Sequence, residues 1–274
     1  MSAAPAAPPA VWADVDSRRR GAGRLLSRIG TFCLVELQRL RHDRSELVTR
    51  AIQPLLWLLI FGTTFSRVHA IPTGGVPYLD YLAPGIMAQS ALFIAIFYGI
   101  QIIWERDAGV LTKLLATPTP RVALVAGKAF ASGVRAITQA VVVLVAAALL
   151  GVGLTTNPLR LAGVVVVVLL AAAFFSTLSI VLAGIVLSRE RLMGIGQAIT
   201  MPLFFASNAL YPVALMPRWV QAIAVVNPLS YEVNALRGLL LGTPAALGTD
   251  IGVLAFSAAA GITTAARLLP RLTR

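Results

Sequence analysis

The stretch Glu105-Arg-Asp-Ala-Gly-Val-Leu-Thr-Lys-Leu-Leu-Ala-Thr-Pro-Thr-Pro120 sets several side chains able to do chemistry between two long apolar runs. The chemistry its spacing predicts is docking. Val110, Leu111, Leu114 and Leu115 fall on one face of a short helix. Glu105 and Asp107 lie in its first turn, where the helix dipole favours negative charge, and Pro118 and Pro120 end it. Such a half-apolar helix can plug a groove on another protein; it can also rest on lipid headgroups.

Bond-making chemistry finds little support. Gly127-Lys128 is followed by Ala129 and lacks the upstream glycine of a phosphate-binding loop. There is no HExxH, no Cys/His metal cluster and no GxSxG elbow, and His42 and His69 stand alone. One cysteine, Cys33, excludes an intrachain disulfide. The polar groups inside the apolar runs are amides and hydroxyls, such as Gln89, Gln139, Gln197 and Asn208. A proton- or sodium-driven carrier is expected to hold carboxylates at the membrane midplane, and a channel to hold rings of charge or a carbonyl filter. Neither pattern is present. Uphill movement by this chain would draw its energy from another chain, and an apolar lining suits a lipid-soluble or amphipathic cargo.

The elements that must position these residues are set by composition. The chain has 274 residues, 58% hydrophobic and 12% charged, against roughly 25% charged in a soluble domain. Tyr81–Trp104, Ala136–Leu159, Leu161–Ser188 and Leu192–Pro217 contain no Asp, Glu, Lys or Arg. About 20 helical residues cross the roughly 30 Å hydrocarbon layer, so each run predicts a membrane span, the last kinked at Pro202. Leu47–Phe65 and Leu247–Ala266 predict two more, with Arg50, Asp250 and Arg267 near span ends. The expected fold is an all-α integral membrane protein of six spans.

Net charge is +12. With the N-terminus inside, 19 of the 23 basic residues fall in cytoplasmic segments, namely those before Ala51, Glu105–Arg135, Ser188–Arg191 and the C-terminus. The charge thus reads as membrane orientation, with both termini cytoplasmic, and not as a nucleic-acid footprint. Residues 1–17 are Ala/Pro-rich, unlike a signal peptide, and are expected to form a disordered tail. Leu26, Ile29, Cys33, Leu37 and Leu40 then make one apolar helical stripe, with Arg24, Arg28, Glu36 and Arg39 largely off it, which predicts an amphipathic helix in the membrane interface. Pro72–Pro77 and Gly151–Pro158 read as outside turns, and Ser188–Arg191 as an inside turn. Val220–Val226 is apolar but too short to cross, so it predicts a re-entrant or surface helix.

On these residues the chain resembles the type-2 ABC exporter permeases, the daunorubicin-type drug and polysaccharide export subunits. One motif is Glu105-Arg106-Asp107, Gly109, Leu111, Leu114-Leu115-Ala116-Thr117-Pro118, Arg121 and Gly127-Lys128, similar to that family's cytoplasmic coupling segment. The other is Ser207-Asn208-Ala209-Leu210-Tyr211-Pro212, Met216-Pro217, Trp219, Asn227-Pro228-Leu229-Ser230-Tyr231 and Leu236-Arg237, similar to the segment after the fifth span; Asn208-Ala209 stands where many members carry Gly. The resemblance implies a six-span transmembrane domain over 18–274 in the bacterial plasma membrane. Two permease copies, identical or homologous, pair over separate ATP-binding cassette subunits that hold ATP and Mg, so this chain is not itself an enzyme. It implies ATPase coupling through Glu105, Arg106, Asp107, Gly109, Leu111, Leu114, Leu115, Thr117, Pro118 and Arg121. It implies a re-entrant exit gate at Asn208, Tyr211, Pro212, Pro217, Asn227, Pro228 and Tyr231. Export of drugs, antibiotics or lipid-like amphiphiles is the leading expectation. Polysaccharide or glycolipid export, an ion-coupled secondary carrier and a non-transporting scaffold are the alternatives.

Overall fold

The computed structural model describes residues 27, 29–38, 40, 44–68, 71–116 and 119–273. The tail 1–17, His42, His69, Thr117 and Pro118 lie outside them. Among the described residues all regular structure is helical.

Among the described residues four helices are long and apolar enough to cross a membrane: α4 (Tyr78–Asp107), α6 (Arg121–Leu149), α7 (Pro158–Val186) and α11 (Leu247–Leu268), the last extended to Leu272. α4 and α7 pack together at the centre, with α6, α10 (Pro228–Leu241) and α11 around them. The apolar window of α4 is 78% buried and that of α11 only 22%. Large apolar side chains such as Leu149, Leu159 and Phe256 are exposed. A chain that leaves this surface bare needs lipid around it.

The other two expected spans are built differently. The first is three consecutive segments: α2 (Arg44–Leu56), a π-helical stretch (Trp57–Gly62) and α3 (Thr63–Val68). Together they reach about 37 Å at the rise of an α-helix. Pro54 lies inside α2, just before the π stretch; a proline lacks the N–H that its helix needs. The expected span Leu192–Pro217 is not one helix. α8 (Arg189–Phe205) has 17 residues and stops where Ala206 N–H bonds back to Pro202 O and the Ser207 hydroxyl donates to Phe204 O. The remainder is a turn and a 3-10 turn (Val213–Leu215); the nine-residue helix α9 (Arg218–Val226) follows and occupies the apolar stretch too short to cross.

Small residues let the helices approach, as is usual where lipid gives helices little hydrophobic reason to associate. A Cβ on Gly99 of α4 would come within 2.5 Å of Ser176 O of α7, and one on Gly85 within 2.2 Å of Ala209 O. The first and last described helical segments close on one end of the bundle. There Phe32 of α1 (Ile29–Gln38), Leu111, Leu192 and Leu269 join a single apolar cluster.

The stripe expected on α1 is rotated. Ile29, Phe32 and Cys33 are half-buried and Glu36 and Leu40 are buried, while Leu34, Val35 and Leu37 are exposed. Glu36 therefore faces the bundle instead of lying off the stripe, because it has a charged partner there.

Candidate functional site

The Glu105 segment folds as a corner. α4 ends at Asp107, Gly109 turns the chain with φ +70°, and α5 (Val110–Leu115) follows. A left-handed backbone of that kind favours glycine. Leu111 is fully buried, and Leu114 and Leu115 pack against the same cluster, so these three leucines anchor α5 to its own bundle. Val110, Thr112 and Lys113 point outward. The expected four-residue apolar face is thus split between anchoring and exposure.

Ion pairs lock this corner to its neighbours. Glu105 pairs with Lys128 of α6. Asp107 accepts from Arg106 and, at 3.1 Å, from Arg189 at the start of α8. The Arg189 guanidinium lies 4.2 Å from the centre of the Trp104 ring. Arg106 Nη1 donates to Leu187 O at 2.9 Å. Leu187, with φ 57°, is the one non-glycine residue at positive φ among the described residues, and that bond holds the strained α7–α8 turn. Arg121 begins α6. The two turns that the sequence predicts to be inside are therefore one connected piece. A half-open groove of about 440 Å³ beside it is lined by Trp104, Glu105, Val110 and Met193.

Gly127-Lys128 has a structural use that sequence reasoning missed. The Phe32 ring of α1 sits where a Cβ of Gly127 would be, 2.4 Å away, and Lys128 meets Glu105. Seven residues along α6, Arg135 pairs with Glu36, and the Tyr98 hydroxyl donates to the same carboxylate at 3.1 Å. Burial and the Glu36 carboxylate push the Cys33 thiol up from its ordinary value. The signal available in the sequence was two cations, Lys128 and Arg135, two helical turns apart and so on one face.

At the other end of the bundle the second motif folds around backbone carbonyls. The Tyr81 hydroxyl and Arg237 Nη2 both donate to Asn208 O, each at 3.1 Å, and Arg237 also reaches Tyr81 O at 3.3 Å. The Arg237 guanidinium lies 3.7 Å from the Tyr81 ring centre. The Asn208 amide donates to Asn234. Tyr211 and Tyr231 each donate to a carbonyl six residues earlier, Phe205 O and Val225 O, at 2.7 Å. Pro212 and Pro217 sit at the starts of the 3-10 turn and α9.

Asn227 joins these pieces. Its side-chain oxygen accepts from Leu229 N, capping α10 with Pro228 in the first helical turn, while Nδ2 donates to Leu203 O and Ala206 O at the end of α8. Asn227→Ala loses the cap and leaves two carbonyls short of a donor. The expected loss is about 2 kcal/mol of stability, read as a lower unfolding temperature in detergent; a side chain used only as a spacer would leave it unchanged. Glu232, also on α10, is fully buried with neither carboxylate oxygen hydrogen-bonded. The sequence reading passed over it.

The arrangement holds the helix ends together by packing, ion pairs and hydrogen bonds to carbonyls. A helical membrane protein is the class that the fold defines. Residues 29–241 match the ABC-2 type transporter family, and the chain belongs to that family. It is 30% identical to the putative transport permease ycf38 of Cyanophora paradoxa, over 73% of this chain and 69% of that one. It is 26% identical to the daunorubicin resistance ABC transporter permease protein DrrB1 of Streptomyces coeruleorubidus, over 85% and 81%. It is 28% identical to Nodulation protein J of Rhizobium leguminosarum bv. viciae, over 77% and 81%. Membrane subunits of this family are transport components and not catalysts.

Proposed function

We propose that the chain is the membrane subunit of an ATP-driven exporter of drug-like or lipid-like amphiphiles in the bacterial plasma membrane. In this reading it crosses the membrane six times, with the broken α2–α3 stretch and α8 as the first and fifth spans and both termini cytoplasmic. It pairs with a second permease copy or homologue, and ATP and Mg bind on separate ATP-binding cassette subunits. Residues 18–274 act as one domain, and α9 with α10 forms the re-entrant exit side. Relatives named for daunorubicin and doxorubicin resistance support the cargo class.

The observation that carries the reading is the ion-paired corner. Glu105, Arg106 and Asp107 tie α5 at once to α6 and to the α7–α8 turn. A push on α5 by an ATPase seated at Trp104, Val110 and Lys113 would therefore reach three long helices instead of bending one loop. Glu105→Lys sets two ammonium groups together where a pair stood. In vesicles containing the complex, that variant should export at least about tenfold more slowly, the effect of about 1.4 kcal/mol on a barrier, while ATP is still hydrolysed. Unaltered export by the variant would remove the corner from the mechanism. Transport by the purified chain alone, driven by an ion gradient, would remove the ATPase.

A further inference from the structure

Glu232 is an acidic side chain with nothing to balance it. It is fully buried, and neither carboxyl oxygen has a hydrogen-bond partner. It shares one face of α10 with Leu229, three residues before, and Leu236, four residues after. Both leucines are fully buried in the central apolar cluster. That face packs among α4, α7 and α11.

The charged and titratable groups of those elements are engaged elsewhere. Arg237 is held on Tyr81 O and Asn208 O, and the Tyr81 hydroxyl on Asn208 O. Tyr78 donates to Leu210 O, Tyr98 to Glu36 and Tyr231 to Val225 O. Arg160, in the first turn of α7, is exposed. Asp80, which accepts from Gly153 N at 3.3 Å, and the buried Asp250 carry charge of the same sign. Glu105, Arg106, Asp107 and Arg267 lie in the last turns of α4 and α11, at the opposite end of the bundle. A bare carboxylate so enclosed costs far more than the neutral acid, so the group keeps a proton.

The helix that carries it is under-satisfied as a whole. Ser230 Oγ, both Glu232 oxygens and Arg237 Nε are four of the nine buried side-chain polar atoms without a partner among the described residues. Each costs free energy while it stays dry, so α10 is the element that gains most when water reaches it. A wetted Glu232 is an ordinary carboxylic acid, ionised near neutrality.

We propose that Glu232 is a proton-binding site that latches the exit side: it holds a proton while α10 is packed and releases it to the outside when α10 opens to water. Acid outside therefore favours the closed arrangement. Opening becomes about tenfold easier for each pH unit above the ordinary carboxylate range, the linkage of one proton. The latch rests on reading α9 and α10 as the exit side; the buried proton does not.

The test begins with the full chain in phosphatidylcholine nanodiscs at neutral pH. The infrared difference between wild type and Glu232→Gln should show the C=O stretch of a protonated carboxyl. Carboxylate bands in its place overturn the site. Unfolding of the same two chains in denaturant supplies the sign. An acid that is neutral when folded and ionised when unfolded loses stability as pH rises. The wild type should therefore weaken relative to Glu232→Gln by about tenfold in unfolding constant per unit from about pH 5 to pH 7; parallel curves overturn the site. The latch is read in vesicles of the assembled complex, whose lumen takes the place of the outside. Acidifying the lumen below neutrality should slow export by the wild type by about tenfold per unit and leave the rate of Glu232→Gln unchanged. Equal slowing of both chains overturns the latch while export itself stands. A complex that moves nothing at any pH removes the export reading and the latch with it, and the infrared band and the unfolding curves still decide the proton site.

Discussion

Arg135→Met should destabilise the protein by about 3–5 kcal/mol, the cost of stranding a buried charge. Glu36, its partner, is 3% exposed, and the two are paired across α1 and α6. Without the guanidinium the carboxylate keeps only the Tyr98 hydroxyl. A lone buried carboxylate must then be desolvated without compensation or take up a proton. Removing both charges together avoids this. The double variant Glu36→Leu, Arg135→Met should recover most of the loss, since a buried pair replaced by apolar residues of similar volume is often neutral. Unfolding in denaturant of the single and double variants measures the coupling directly. Equal destabilisation of single and double variants would mean that the pair contributes only packing. The functional consequence is specific, because α1 is held by this pair and by Phe32 against Gly127. The single variant should let α1 detach while α4 and α7 stay folded, seen as new protease sensitivity confined to residues before Arg44.

Arg237→Leu should cost about 3 kcal/mol or more and stop export. The guanidinium serves two carbonyls on different elements, Tyr81 O of α4 and Asn208 O of the turn after α8, and stacks on the Tyr81 ring. Hydrogen bonds to charged groups are worth about 1.5–3 kcal/mol each, and a desolvated cation–π contact about 2 kcal/mol. Arg237→Lys keeps the charge but cannot span both carbonyls with one planar group, so it should lie between the leucine variant and the wild type in unfolding temperature. Assembly with the ATPase occurs, in the proposed reading, at the opposite end and should survive both substitutions. A leucine variant that exports normally would show that this knot only fills space.

Much of this was legible in the sequence, for reasons that differ by element. The centres of α4 and α7 follow from long runs without charge, because lipid admits no alternative; α6 starts fifteen residues before the expected span Ala136–Leu159 and ends at Leu149 within it. Asn227-Pro228 carries the signal for the start of α10, a cap and a preset first turn, although the apolar pattern predicts no helix there. Periodicity also placed an interface helix at α1, but with the wrong face: Glu36 and Leu37 are adjacent, and only the partner at Arg135 decides which turns inward. The absence of charge likewise could not show that α8 stops at Phe205, because the stop is made by hydrogen bonds around Ser207 and not by polarity. Charge counting assigned Lys128 and Arg135 to a loop, yet both lie on α6 and are paired. Gln139 stood out as polar among apolar residues, but the carbonyl that its amide serves, Arg50 O, lies on another helix 89 positions earlier. Local patterns thus place the rods; the contacts that hold them come from residues far apart in sequence.

The π stretch Trp57–Gly62 has a geometric corollary. Such a bulge holds a residue more than an α-helix would use for the same path. Were that surplus absorbed, Thr63–Val68 would swivel by about a hundred degrees and slide by about 1.5 Å along the axis, while α4 beside it kept its register. A screw joint of that kind lets one wall of the bundle rotate without any hinge opening to lipid.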